Sequence, residues 1–245
     1  MQLSFITFNI HKGFNWNNSN FTLAYLREAL TKLDPDIVFL QEVVGENQTL
    51  EKELDNWIND HAKFLAQEIW PHQFFSKHAT FDHRNHGNLI LSKYPISHTN
   101  IVDLSLSPLE QRALLHAEIN IDGQNLQTYC THLNLLHRDR KNQYRKIKDY
   151  ISSIDSKSED PIILAGDFND WNQKASQTLL DISDLKEAHK SIHGYYAKTF
   201  PAFLPFFKLD RIYTKGLSIT ETEVLTHQDW STISDHLPIL VRASL

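Results

Sequence analysis

Residues 161–170 read PIILAGDFND, a short apolar run that stops at Gly166 and then presents Asp167, Asn169 and Asp170 in quick succession. A second polar stop, SDH at 234–236, precedes another apolar run, LPILV at 237–241. Both places read as the ends of buried strands, where a rigid sheet holds carboxylate, amide and imidazole groups towards one cleft. A buried carboxylate is costly unless it is paired or bound to a cation. With Glu42 at a further strand end, the two clusters point to a hard-metal hydrolytic site, and so to an enzyme.

Around these runs, strand-like and helix-like stretches alternate. LSFITFN (3–9) is a first strand, and DIVFLQEV (36–43), introduced by Asp34-Pro35, is a second. Between them, 21–33 places Leu23, Leu26, Leu30 and Leu33 on one helical face, after capping candidates Asn18, Ser19 and Asn20. The pattern predicts a longer amphipathic helix over 49–70, with Leu50, Leu54, Trp57, Ile58 and Leu65 as its stripe. From 87 to 131 strands follow one another, NLILSKYPI, ALLHAEINI and, after Asp122-Gly123, NLQTYCTHL. A basic helix is predicted over 138–154 and a shorter helical region near 174–189, with two or three closing strands. A hairpin joins adjacent strands, so a purely parallel sheet fits poorly and a layered α/β sandwich with mixed sheets fits better. No Gly/Ser- or Pro-rich linker divides the chain, which reads as a single domain over 1–245.

Composition narrows the function. The 245 residues carry 24 basic and 30 acidic side chains, a net charge of −6. That disfavours a general nucleic-acid binder, whose affinity comes mostly from cations on phosphates, without excluding a local basic groove. The single cysteine, Cys130, excludes an intramolecular disulfide and a cysteine-rich zinc site, and it reads as a buried strand thiol. The opening MQLSFITFNI lacks a charged leader and a cleavage site, and no apolar run is long enough to span a bilayer, so the expected location is cytoplasmic.

Asn9 and Glu42 end neighbouring strands, where their oxygens share a small cation; Mg²⁺ prefers about one or two carboxylates plus water and substrate phosphate. Asp167 and Asn169 lie two apart and can face the same way, although GDFND also suits an Asx-turn. Asp235-His236 is weak as a dipeptide but gains weight from Asp210 in KLDRIY, because a carboxylate orients an imidazole and raises its basicity. His132 in CTHLNL and Arg112 in QRALL suit phosphate donation if they face the same cleft, and are otherwise surface residues. His11 and Lys12 lie at the mouth of such a site. No GxSxG elbow occurs, which removes a serine hydrolase.

Seven segments in order, TFNIHKG, LQEV, GNLILSKYPI, THLNL, AGDFND, LDRIY and SDHLPI, resemble the endonuclease/exonuclease/phosphatase superfamily with its deoxyribonuclease-I-like fold. NIHKG, HGN, GDFNDW and LDRIY resemble a bacterial branch of unassigned substrate. The resemblance implies a four-layer sandwich of two packed mixed β-sheets flanked by helices, and Mg²⁺- or Mn²⁺-dependent cleavage of a phosphoester. It places Asn9, Glu42 and Asp235 on or beside metal-binding positions, Asp167 on the water-activating aspartate and Asn169 on the positioning amide. Asp210 and His236 match the orienting carboxylate and its histidine; His132 and Arg112 match phosphate contacts. Some repair nucleases carry an acidic residue where His11 stands, which argues against a second metal and against abasic-site repair.

The expected reaction is in-line attack by water on a phosphodiester, with Asp167 activating the water, Asn169 aligning it and His236 offsetting charge. Selectivity falls to loops. TFPAFLPFF (199–207) reads first as a Pro-broken segment packed over the core; the sharper reading makes Phe203 and Phe206 part of an apolar lip beside the site. The basic helix reads mainly as a solvated face. A phospholipid or small phosphoester, with a membrane surface as one setting, is therefore expected ahead of DNA or RNA, and a non-catalytic binding module comes last. No segment reads as a protein-docking motif.

Overall fold

Leu3 and Phe5 turn one way from the first strand and Ile6 and Phe8 the other, yet all four are buried. A strand covered on both faces needs a layer on either side, and the computed structural model supplies them. It describes residues 1–107 and 110–245, apart from the side chain of Gln228. In chain order the strands are β1 (Gln2–Asn9), β2 (Ile37–Asn47), β3 (His72–Phe81), β4 (Arg84–Ser92), β5 (Ile96–Asp103), β6 (Ala113–Ile121), β7 (Gln124–His132), β8 (Ile162–Asp167), β9 (Lys186–Glu187), β10 (Asp210–Lys215), β11 (Ser218–Val224) and β12 (Ile239–Ser244). The helices are α1 (Leu23–Leu33), α2 (Gln48–Glu53), α3 (His61–Ala66), α4 (His137–Asp155), α5 (Ala175–Leu179), α6 (Ala188–His193) and α7 (Gln228–Ser231).

The strands form two six-stranded sheets, ordered β11-β12-β1-β2-β4-β3 and β5-β6-β7-β8-β10-β9. Each is mixed: one parallel pair, β1/β2 or β7/β8, sits at the centre of an otherwise antiparallel sheet. Parallel neighbours need a crossover, and α1 and α4 provide it. Leu3, Phe5, Ile37, Phe39, Ile163 and Ala165 pack in one core with Cys130 and Ile212, between the sheets. Ile6, Phe8, Val38 and Leu40 face Leu23, Leu26 and Leu30 of α1 in a second core. Leu164 and Tyr129 face Tyr144, Ile147 and Ile151 of α4 in a third. These are the four layers, helix–sheet–sheet–helix, of the α/β sandwich that the sequence led us to expect.

This topology gathers chain ends at one place. The C-termini of β1, β2, β7 and β8 lie beside the starts of their antiparallel partners β12, β4, β6 and β10, so seven of the quoted motifs meet at one end of the sandwich.

Four local expectations need correction. The predicted helix over 49–70 is two short helices, α2 and α3. Asn59 accepts from the Asn47 amide and the Trp57 indole, and Asp60, at φ +54, caps the Lys63 amide, so side-chain hydrogen bonds outcompete the helix in between. The region near 174–189 likewise divides into α5 and the start of α6, separated by β9. None of Asn18, Ser19 and Asn20 caps α1; Thr22 holds that position and donates its hydroxyl to Gly13 and Ile233 carbonyls. Glu42 lies inside β2, which continues to Asn47, rather than at its end. No helix among the described residues is long and apolar enough to cross a membrane.

Candidate active site

Strand register alone sets three of the proposed residues side by side. His132 of β7 pairs with Asp167 of β8, and Asp167 pairs with Asp210 of β10. Gly166 makes this approach feasible: at φ +148, a Cβ there would lie 2.0 Å from the Thr131 carbonyl oxygen.

Asp167 is buried and held from several sides. Its Oδ2 accepts from Asn9 Nδ2 at 3.0 Å and its Oδ1 from the Asn169 amide at 2.8 Å. His132 Nε2 and His236 Nε2 lie 3.5 Å and 3.7 Å from Oδ2. Burial raises the Asp167 carboxyl above the ordinary carboxylate range, against the opposing pull of His236. Asn169, at φ +46, donates its side-chain amide to the Leu133 carbonyl at 2.9 Å. GDFND is thus an Asx-turn as well as the carrier of the two site residues; the two readings are one structure.

His236 Nδ1 lies 2.9 Å from Asp210 Oδ2, an oxygen that also accepts the Thr199 hydroxyl. Burial alone would depress this imidazole, but Asp210 and Asp167 outweigh it and lift His236 to about 10, an imidazolium at neutral pH. His132 goes the other way: burial, with Arg112 adding to it, holds it well below the ordinary histidine range and neutral. Two histidines beside one carboxylate therefore carry different charge because only one has a buried carboxylate bonded to it.

Glu42 reaches the cluster through a slip in its strand. Val38 and Leu40, both even-numbered, face the α1 layer, but so does odd-numbered Val43. Alternation therefore breaks between them, where the β2/β4 register shifts and Glu42 takes φ +58. Gln41 fills the inter-sheet place, donating to Thr7 and Cys130, and the bulge re-aims Glu42. Lys12 Nζ sits 3.0 Å from Glu42 Oε2. Burial works against ionisation of Glu42, yet Lys12 and its neighbours hold the carboxyl well below its usual range. Asp235 faces His11 Nδ1 at 3.7 Å, and Ser234 ties this loop to the Asn9 carbonyl at 2.7 Å. His11 and Lys12 both have positive φ, as do Glu42 and Asn169, a concentration of uncommon backbone at one place.

Asn9, Glu42 and Asp235 offer only oxygen, the donor type that suits a hard cation. Asp167, Asp210 and His236 also bring ligand atoms within 4.8 Å of one another. In that trio Asp210 and His236 already satisfy each other, which favours an orienting pair over a ligand set.

Arg112 precedes β6, and its guanidinium reaches Glu110 at 3.1 Å while its buried Nε has no acceptor among the described residues. Phe203 and Phe206 are 60% and 67% exposed, so the packed reading of that loop is overturned: its prolines and turns hold the rings outward. Phe203 meets Trp16 with ring centroids 5.1 Å apart, and Phe200 of the same loop lies 4.9 Å from the His236 ring. The rim is continuous with the site through Phe200. The supporting roles of Thr199 and Ser234 escaped the sequence reading, since a Thr or Ser acting on a neighbour's carboxylate or carbonyl leaves no motif.

The Endonuclease/Exonuclease/phosphatase family model matches residues 6–236. The chain is 36% identical to the uncharacterized protein YbhP of Escherichia coli over 243 residues, covering 97% of this chain and 95% of that protein. Among solved structures, an endonuclease/exonuclease/phosphatase from Beutenbergia cavernae superposes with a TM-score of 0.81 at 19% identity, over 100% of this chain and 72% of that one. Truncated TDP2 from Caenorhabditis elegans gives 0.73 at 18% identity, over 100% and 98%. A mannosyl-6-phosphatase from Bacteroides thetaiotaomicron gives 0.75 at 17% identity, over 99% and 100%. The superfamily's members are hydrolases of phosphoesters that generally use divalent metals. With this fold, and with a match that runs from within β1 to His236, just before the last strand, the chain belongs to the endonuclease/exonuclease/phosphatase family.

Proposed function

We propose that residues 1–245 act as one catalytic domain, a Mg²⁺- or Mn²⁺-dependent phosphodiesterase on a small phosphoester with an apolar substituent, of which a phospholipid is one form. The observation that carries the reading is Asp167, buried with a raised carboxyl 3.7 Å from an imidazolium that Asp210 holds in place. A carboxylate with a raised pKa is a better base for water near neutral pH. Asn9 and the Asn169 backbone N–H each take one lone pair, on Oδ2 and Oδ1, which fixes the carboxylate and leaves each oxygen a lone pair able to take a proton from the attacking water. His236 and Arg112 bring positive charge to the phosphoryl oxygens, and neutral His132 donates a hydrogen bond without repelling His236.

Glu42, with Asn9 and Asp235, would hold the cation, which supplies charge neutralisation at the phosphoryl and leaving oxygens. Lys12 stands 3.0 Å from Glu42, the chain's own cation at the same carboxylate. The exposed Trp16–Phe203 pair and Phe206 support the apolar substituent, and Phe200 links them to His236. A nuclease is the second reading, favoured by the exposed cations of α4. Arg140 of that helix, however, is buried on the Asn134 and Leu135 carbonyls, and Lys148 pairs with Asp181 at 3.3 Å.

The test is a turnover panel in Mg²⁺ and Mn²⁺ with bis-aryl phosphodiesters, phospholipid vesicles and oligonucleotides. We expect metal-dependent turnover of the apolar diesters, about 10²–10⁴-fold slower in Asp167→Asn. Phe203→Ser with Phe206→Ser should raise KM for the apolar diesters. Faster cleavage of oligonucleotides, falling steeply with salt, would select the nuclease.

A further inference from the structure

On the Glu42 side of the centre, a cavity of about 520 Å³ opens between the loop after β1 and the β3–β4 hairpin. Its lining includes Lys12, His83, Arg84 and His86 and no acidic residue. Arg84 and His86 are two apart on β4 and so project on the same face. Both use one aromatic platform: the Arg84 guanidinium lies 5.2 Å over the Phe81 ring, and the His86 ring stacks beside it at 6.2 Å and 19°. Arg84 has no ion-pair partner among the described residues. Glu42 is the carboxylate within electrostatic reach of His86, and Lys12 already occupies it. Burial first, then Lys12, holds His86 near 4, so at neutral pH it is an uncharged N–H donor.

We propose that this cavity is a second anion site, which takes a phosphate carried on the substrate's other arm while the scissile phosphodiester lies at Asp167. The inference deepens the phosphodiesterase reading and rests on it for the second substrate arm. A guanidinium fork, an imidazole N–H and an ammonium converging on one space match the geometry of a phosphate group, and no carboxylate in the lining repels it. Lys12 belongs to both places, lining the cavity and touching Glu42, so an anion bound there sits directly beside the hydrolytic centre. The volume is within the range of sites for small ligands. The aromatic rim and the basic cavity adjoin through Phe14 and Asn18, and their different chemistry tells the two arms of a diester apart: one apolar, one anionic.

The test compares two diesters with the full-length protein in Mg²⁺ or Mn²⁺. These are p-nitrophenyl 2-methoxyethyl phosphate, whose capped oxygen cannot attack its own phosphorus, and the counterpart carrying a phosphoryl group in place of that methyl. Wild type should favour the phosphorylated diester by about tenfold or more in kcat/KM, the scale of a charge-assisted hydrogen bond. Arg84→Ala and His86→Ala should each bring that ratio towards one, and Arg84→Lys should keep part of it. A wild-type ratio of one, or a ratio unchanged in Arg84→Ala, overturns the proposal. A second measurement separates this outcome from failure of the phosphodiesterase reading. Inorganic phosphate, titrated into metal-free protein, should shift the backbone amide resonances of residues 83–86 saturably in wild type and not in Arg84→Ala. Absence of that shift overturns the anion site whatever the turnover panel gives.

Discussion

Asp167 and its neighbours show how one buried charge organises those around it. A carboxylate with so little water is tolerable because Asn9, the Asn169 amide and the His236 imidazolium all point at it. His236 in turn is charged only because Asp210 is bonded to its Nδ1. Asp210→Asn removes that carboxylate while keeping its shape. The His236 titration, followed by ring proton resonances, should then fall from about 10 towards the ordinary histidine value, and kcat should fall with it. The sign for stability follows: with the folded pKa raised, the contribution is complete below about 6.5 and lost as pH rises through 10. In Asp210→Asn the loss should still begin near 6.5 but be smaller and finish at a lower pH. An unchanged His236 titration would mean that Asp210 does not hold its proton.

At the scale of the element, two departures from regular strand geometry position the site. The slip in β2 turns Glu42 from the helix layer to the cleft, and the glycine before Asp167 lets β8 pass close to β7. Gly166→Ala should be destabilising by about 2–4 kcal/mol, because a Cβ collides with the Thr131 backbone, which cannot move away as a side-chain tip would. Chemical denaturation measures this, and wild-type stability in the variant would show that the strands separate at little cost. Elements with one dominant pattern were legible: β1, β8 and β12 from their apolar runs, and α4 from Tyr144, Ile147 and Ile151 at helical spacing. The interrupted 49–70 region was not, since its stripe of Leu50, Leu54, Trp57 and Leu65 suits one helix. What divides it are Asn59 and Asp60, whose bonds to Asn47, Trp57 and Lys63 exist only in the folded chain.

Across the whole molecule, the inter-sheet core joins the halves. Phe5, Phe39, Ile163 and Ile212 pack in a single cluster drawn from both sheets, so the strand ends that carry the site are held against one another from behind. A buried carboxyl far from the chemistry reports on that stability. Glu187, which caps α6 by accepting the Lys190 amide, has its pKa raised to about 7 by burial, with Arg211 opposing. Between about pH 4.5 and 7 the folded protein keeps a proton that the unfolded chain releases, so this contribution is complete below 4.5 and lost as pH rises through 7. Glu187→Gln should remove the loss, becoming more stable than wild type at pH 8 relative to pH 5 by up to about 3 kcal/mol in urea unfolding. Equal pH dependence in the two proteins would place the ionisation of Glu187 outside the folding equilibrium.

Period and composition by themselves determined the alternation of strands and helices, the mixed sandwich and the residue types at the strand ends, because burial on both faces of a strand leaves a continuous apolar run that any reader of the chain can find. The order of the motifs identified the family for the same reason. Only the tertiary structure decided that Glu42 enters the cleft through a bulge, that Thr199 and Ser234 support His236 and Asn9, that Phe203 and Phe206 face outward while Phe200 packs on His236, and that Arg84 and His86 share a cavity with Lys12. These depend on contacts between residues up to 225 positions apart, such as Ser234 with Asn9, and local pattern carries no record of which distant side chain will fill a given space.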